Sequence, residues 1–257
     1  MKKFLVQSQG KSWQANLNKG VDLSLAIGAN PKSASAWYVN PASITPIKGK
    51  GFIGSVAAGG SVNFRDITFN PHGNGTHTEC LGHVTPKVHD VNKLIRDHHL
   101  IAEVKTFKAK KEESSFEAGT FDDVIHLNNE NCPFQQGTEA LILRTLPNSR
   151  DKRFKQYSNS NPPYLSSSSG AYLNACGIKH LLLDLPSVDR ELDGGQLINH
   201  HAFWGLPENP RYDASITEFI YVPSEALDGL YYLNLQIAPF ENDAAPSRPI
   251  IYPLVEI

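Results

Sequence analysis

The stretch Asn70-Pro-His72-Gly-Asn-Gly-Thr-His77-Thr-Glu79-Cys80-Leu-Gly-His83-Val-Thr85 decides how this chain is read. It sets three histidines and a carboxylate within twelve positions. Neutral imidazole and carboxylate oxygen are ligands that Zn²⁺ and Mn²⁺ favour. His77 and Glu79 are two apart, so an extended segment sends both side chains to one face. Gly73, Gly75 and Gly82 lie between the outer histidines and that pair, where glycine allows the chain to fold His72 and His83 back toward a common centre. The segment is therefore expected to be a strand with its turns, holding a divalent ion. Cys80 is out of phase with the pair and reads as a small buried filler.

A length of 257 residues, without a break in composition, predicts one domain over residues 1–257. With 40% hydrophobic residues the chain can bury a sizeable core. A formal net charge of −2 argues against a nucleic-acid or acidic-membrane partner. Gln7 to Gly10 end the first apolar run too early for a signal peptide, and nothing approaches the roughly 18 apolar residues of a membrane span. Cys80, Cys132 and Cys176 are odd in number and widely spaced, which suits reduced thiols in a cytoplasm. The sequon at Asn74 is discarded on the same ground.

Along the chain, Val21–Ile27 reads as a short strand, and Val62–Phe69 as a half-buried one leading into the histidine cluster. Trp37 and Tyr38 stand in a Ser/Ala-rich loop. Val91–Leu100 predicts a short helix, Ile101–Phe107 a strand, and 108–120 an exposed loop. Thr120 reads as a helix cap, with Asp123 in the capping-box position. Ala140–Thr145, a helix within Leu165–Gly177, and Lys179–Leu185 form a βαβ-like unit. Asp184, Ser187 and Asp189 follow at the carboxyl edge of its second strand, where open α/β sheets bind ligands; turn and cap chemistry explains them equally well. His200 and His201 form a second histidine pair. Glu218 lies within the otherwise apolar strand Ser215–Val222, which is costly unless a cation or hydrogen bonds satisfy it. Tyr231–Ala238 and Ile250–Leu254 complete the strands.

Taken together, these groups resemble the cyclase family of metal-dependent hydrolases, which includes bacterial kynurenine formamidase and isatin hydrolase. The family fingerprint is His-x-Gly-Thr-His-x-Asp-x-Pro-x-His, and Gly75-Thr76-His77-x-Glu79-x-x-x-His83 follows it closely. Asp22-Leu-Ser24, Asp184-Leu-Pro-Ser187-Val-Asp189 and Pro246-Ser-Arg248 also look like family features. The resemblance implies that His72, His77, Glu79, His200 and Glu218 hold one or two divalent ions, Zn or Mn. His200 is preferred to His201 because Ala-Phe-Trp then falls in the family register. It implies that His83 assists proton transfer. The chain departs from the pattern in three places: His72 is one residue further from His77, Glu79 replaces an aspartate, and Leu81 stands where a proline is usual.

The implied fold is a single α/β domain, a compact and mostly antiparallel β-core of the swivelling β/β/α type, flanked by helices. The implied activity is hydrolysis of an amide, formamide or lactam by metal-activated water, on a small and possibly aromatic substrate, by a homodimer or homotetramer. Trp37 and Trp204, with Tyr38 and Phe203, are the aromatics expected to stack on such a substrate. No Gly-x-Ser-x-Gly setting supports a serine hydrolase. The alternative is a non-catalytic or divergent member that binds metal or a small carboxylate.

Overall fold

The structure is a computed structural model that describes residues 2–8, 10–30 and 32–257. Seven strands form its centre: β1 (His77–Glu79), β2 (His99–Lys108), β3 (Ala140–Leu146), β4 (His180–Leu183), β5 (Ser215–Glu218), β6 (Gly229–Ile237) and β7 (Ala244–Glu256). They pair in the order β7-β6-β2-β3-β4-β5-β1, and β1 pairs back onto β7, so the sheet closes into a barrel. The expectation of a mostly antiparallel core holds for only part of this ring. β2, β3, β4 and β5 run parallel, whereas β6, β7 and β1 join antiparallel. Of the parallel strands, β3 and β4 read as near-continuous apolar runs because both of their faces are covered.

Alternation along these strands divides their side chains between two clusters. Leu100, Ala102, Val104, Ala140, Ile142, Leu182, Leu233 and Ile251 form one, drawn from five barrel strands without a helix. Leu141, Leu143, Leu181, Leu183 and Ile216 form the other, with Leu173, Phe203 and Trp204 above them. Those last three come from or directly follow α2 (Ser169–Ala175) and α3 (Ile198–Phe203), which pack on each other. The β3-α2-β4 unit is therefore as expected, with β3 and β4 parallel. Gly177 ends it with a φ of +74°. The serines do not cap α2; the Asn199 side chain accepts from the Gly170 N–H instead.

Several elements differ from expectation. Among the described residues no helix exceeds seven residues, and α1 covers only Val91–Leu94, so the flanking helices are slight. None is long and apolar enough to cross a membrane. Phe121–Ile125 is a strand rather than a helix, and it pairs with a strand Lys110–Glu113 inside the expected loop. Its alternating burial and its Val-Ile end favour the pleated form. Thr120 bonds the Glu117 carbonyl and caps nothing. Arg65–Thr68 is a strand, but an exposed one. Val21–Asp22 is the only strand in Val21–Ile27. The polar N-terminal region forms a hairpin, Lys3–Ser8 with Lys11–Asn16, that extends the sheet from the end of β7 and buries Trp13 and Ala15.

Candidate metal centre

Strand register assembles the site. His77 and Glu79 leave one face of β1, as their spacing predicts. Glu218, the last residue of β5, is the cross-strand partner of His77, and its Oε2 lies 3.5 Å from His77 Nε2. The cluster thus sits at the carboxyl ends of the parallel strands. Gly75, at φ +97°, turns the chain into β1. A Cβ on Gly82 would lie 2.5 Å from the His89 backbone nitrogen, so only glycine permits the tight 3₁₀ turn Leu81–His83 that brings His83 back.

Glu79 is the hub. It is 1% exposed, with Oε2 at 3.1 Å from His72 Nδ1, 3.9 Å from His83 Nε2 and 4.0 Å from His77 Nε2. Its Oε1 lies 3.3 Å from His200 Nε2. The longer spacing to His72 is absorbed by a loop that Asn70 and Asn74 tie together, and His72 does reach the cluster. His200, from α3, is the member of its pair that enters the site. Asp189 accepts from its Nδ1 at 2.7 Å and so presents Nε2 to Glu79.

The charges reinforce one another. Burial pushes Glu79 up, but the imidazoles of His83, His200 and His72 hold its carboxyl well below the usual range. Burial pushes Glu218 up, and the neighbouring Glu79 charge adds to that. His72 and His200 are pushed down by burial yet held at about 10 by the carboxylates beside them. Asp243, just before β7, was not singled out from the sequence. Its Oδ2 lies 2.9 Å from His72 Nε2 and 3.4 Å from His83 Nδ1, and these imidazoles hold its carboxyl far down against burial. No spacing signal could have found it, since only the β1–β7 pairing brings it here.

Three buried polar atoms in the cluster have no hydrogen-bond partner among the described residues: His77 Nε2, Glu79 Oε1 and Glu218 Oε1. Subsets such as His72/His77/Glu79 and Glu79/His83/His200 bring their ligand atoms within 4.8 Å of one another. Neutral imidazole and carboxylate without cysteine suit a divalent ion with an open coordination position, so these residues fit such an ion.

A cavity of about 400 Å³ opens onto the cluster, and His72, His83, His200 and Glu218 line it. Trp37, Val39 and Leu197 supply apolar wall. Trp204 does not line it. That side chain is fully buried, its Nε1 donates to the Ala214 carbonyl, and its ring lies 5.6 Å from that of His200, so it packs beneath a candidate ligand. Phe203 is likewise core, and the Tyr38 hydroxyl is turned to Asn159 and Glu191. Asp184 proves structural, bonded to Thr145 and Lys152, while the Ser187 hydroxyl accepts from the Asp189 N–H. Cys80 is fully buried, as a filler would be.

The chain is similar to several known proteins. The chain is 29% identical over 202 residues to a kynurenine formamidase of Bacillus cereus, covering 76% of this chain and 82% of that one. A kynurenine formamidase of Bacillus mycoides matches equally. Among solved structures, an isatin hydrolase bound to the product analogue thioisatinate superposes with a TM-score of 0.60 at 15% identity, covering 93% of this chain and 92% of that one. A potential metal-dependent hydrolase with cyclase activity gives 0.62 at 14%, over 91% and 97%. These likenesses extend to the fold. The Cyclase family model matches residues 21–190, two thirds of the sequence, and the chain belongs to that family.

Proposed function

We propose that the protein is a metal-dependent hydrolase of amide bonds, with an aryl formamide or a cyclic aryl amide as substrate. The observation that carries this reading is the set of three partnerless buried atoms on His77, Glu79 and Glu218, in a cluster whose His72, His83, His200 and Glu218 line an open cavity. His72 and His200 would complete the ligand set. The kynurenine formamidase relatives support the amide class.

A divalent ion held there, Zn or Mn, would lower the pKa of water from about 15.7 toward 7 and polarise the amide carbonyl. The protein's own groups do the rest. His83 faces the cavity with about a third of its side chain exposed. It takes the proton that water loses on attacking the carbonyl carbon, and returns it to the amine nitrogen as the C–N bond breaks. Asp243, beside its Nδ1, orients the ring. Asp189 fixes His200, and Trp37, Val39 and Leu197 pack against an aryl ring.

The test is hydrolysis of N-formylkynurenine by metal-stripped protein, then after Zn²⁺ or Mn²⁺ is restored, with His77→Ala as control. Metal-restored turnover that the variant lacks supports the reading. Metal retained without turnover of any aryl amide supports instead a family member that only binds. Failure to take up metal at all rejects the centre.

A further inference from the structure

The cavity that ends on the His/Glu cluster has a second, differently built region. Arg190 forms part of its wall, and the same residue lines a neighbouring cavity of about 240 Å³ whose walls include Ser166, Ser167 and His126. The residue is therefore shared by the two cavities.

Only part of its guanidinium is engaged. Nε donates to both Asp122 carboxylate oxygens at 3.1 and 3.2 Å, and Nη1 donates to the Leu192 carbonyl at 2.7 Å. Phe116 lies under the guanidinium carbon at 5.2 Å. Nη2 has no hydrogen-bond partner among the described residues, although the side chain is only 8% exposed. The Asp122 carboxylate balances the charge, and the Nη2 donors are left free to take a further acceptor.

The acidic residues nearby are already engaged. Asp193 accepts from the Gly195 and Leu197 N–H groups, and Glu191 from the Tyr38 hydroxyl and the Asn159 and Asn161 N–H groups. An arginine held on one edge, lining a cavity and with donors to spare, is suited to recognise carboxylate. Asp189 and Arg190 are consecutive, so one turn aims a side chain at His200 and the next into the cavity wall.

Resting on the amidase reading above, we infer that Arg190 binds a carboxylate of the substrate, and that the amides taken by this site carry that anionic group away from the bond that is cut. Hydrolysis of two aryl formamides tests this: N-formylkynurenine, which has a carboxylate, and the neutral N-(2-acetylphenyl)formamide. Arg190→Gln should raise KM for the first at least about tenfold more than for the second, the loss of one charged hydrogen bond. Arg190→Lys should recover part of that difference. Equal losses on both amides, or a loss confined to kcat, overturn the inference.

If the glutamine variant does not give a cooperative melt, the lysine variant carries the comparison, because it keeps the charge and loses the forked geometry. If the wild type cleaves neither formamide, the formamide part of that reading falls, and calorimetry with kynurenine and 2-aminoacetophenone decides Arg190 separately. Preferential binding of kynurenine that the substitution removes upholds the carboxylate role; equal binding of the two, or none, overturns it.

Discussion

Glu218 and His77 face each other across the β5–β1 pair, 3.5 Å apart, and each keeps a buried atom without a hydrogen bond. Two such groups at one level of a barrel are stable together when a cation lies between them. Replacing Glu218 by Gln should therefore preserve the strand pairing and weaken metal uptake by more than tenfold, by analogy with the loss seen for supporting residues. Competition with a chromophoric chelator measures the affinity, and an unchanged affinity would remove Glu218 from the ligand set.

Metal uptake should depend steeply on pH. His72 and His200 hold protons up to about 10 in the metal-free protein, and a ligand nitrogen must be free of its proton. Binding at neutral pH should expel roughly two protons, and affinity should rise as pH rises toward 10. Calorimetry in buffers of different ionisation enthalpy counts those protons. Zero release would show that neither imidazole ligates.

Asp189→Asn should lower metal affinity about 10–100-fold without unfolding the chain. The carboxylate now accepts from His200 Nδ1 and from the Asn199 and His200 N–H groups. The amide provides weaker acceptance and no charge to keep the ring in its tautomer. A variant with wild-type affinity would confine Asp189 to capping α3.

His83→Ala should reduce turnover by about 10²–10⁴-fold, the range for a lost proton-transfer group, while metal content stays near that of the wild type. Metal analysis beside the rate assay separates the two effects. Loss of metal and rate together would make His83 a ligand.

Acid should release a second network. Burial raises the Asp122 carboxyl, but bonds from Asn161, Ser114, Arg190 and Tyr164 bring it down to about 2 from 3.8. A carboxylate with a lowered folded-state pKa adds stability that is fully present above about 3.8 and is lost as pH falls toward 2. The shift corresponds to about 2 kcal/mol. Urea melts of wild type and Asp122→Asn at pH 6 and pH 2.5 measure it. The gap between them should narrow at the lower pH.

The histidine cluster was legible because its members share one short segment, and a period of two sets His77 and Glu79 on one face. The β3-α2-β4 unit was legible from its apolar runs. Barrel closure was not, because it depends on β7 pairing with both β1 and β6, and no local pattern encodes a partner so distant in sequence. Asp243 was hidden for the same reason. Trp204 was misplaced because an aromatic after a ligand histidine looks the same whether it faces a cavity or the core; its bond to Ala214 decides. Phe121–Ile125 was misread from a capping pattern at Thr120 that tertiary pairing overrode.

The closure of the ring by β7 also fixes the order in which the site can mature. Translation delivers His72, His77, Glu79 and His83 well over a hundred residues before Glu218 and Asp243. A nascent chain thus displays these imidazoles with Glu79 alone, before Glu218 and Asp243 have been made. The full cluster exists only once the last strand locks β1 into place.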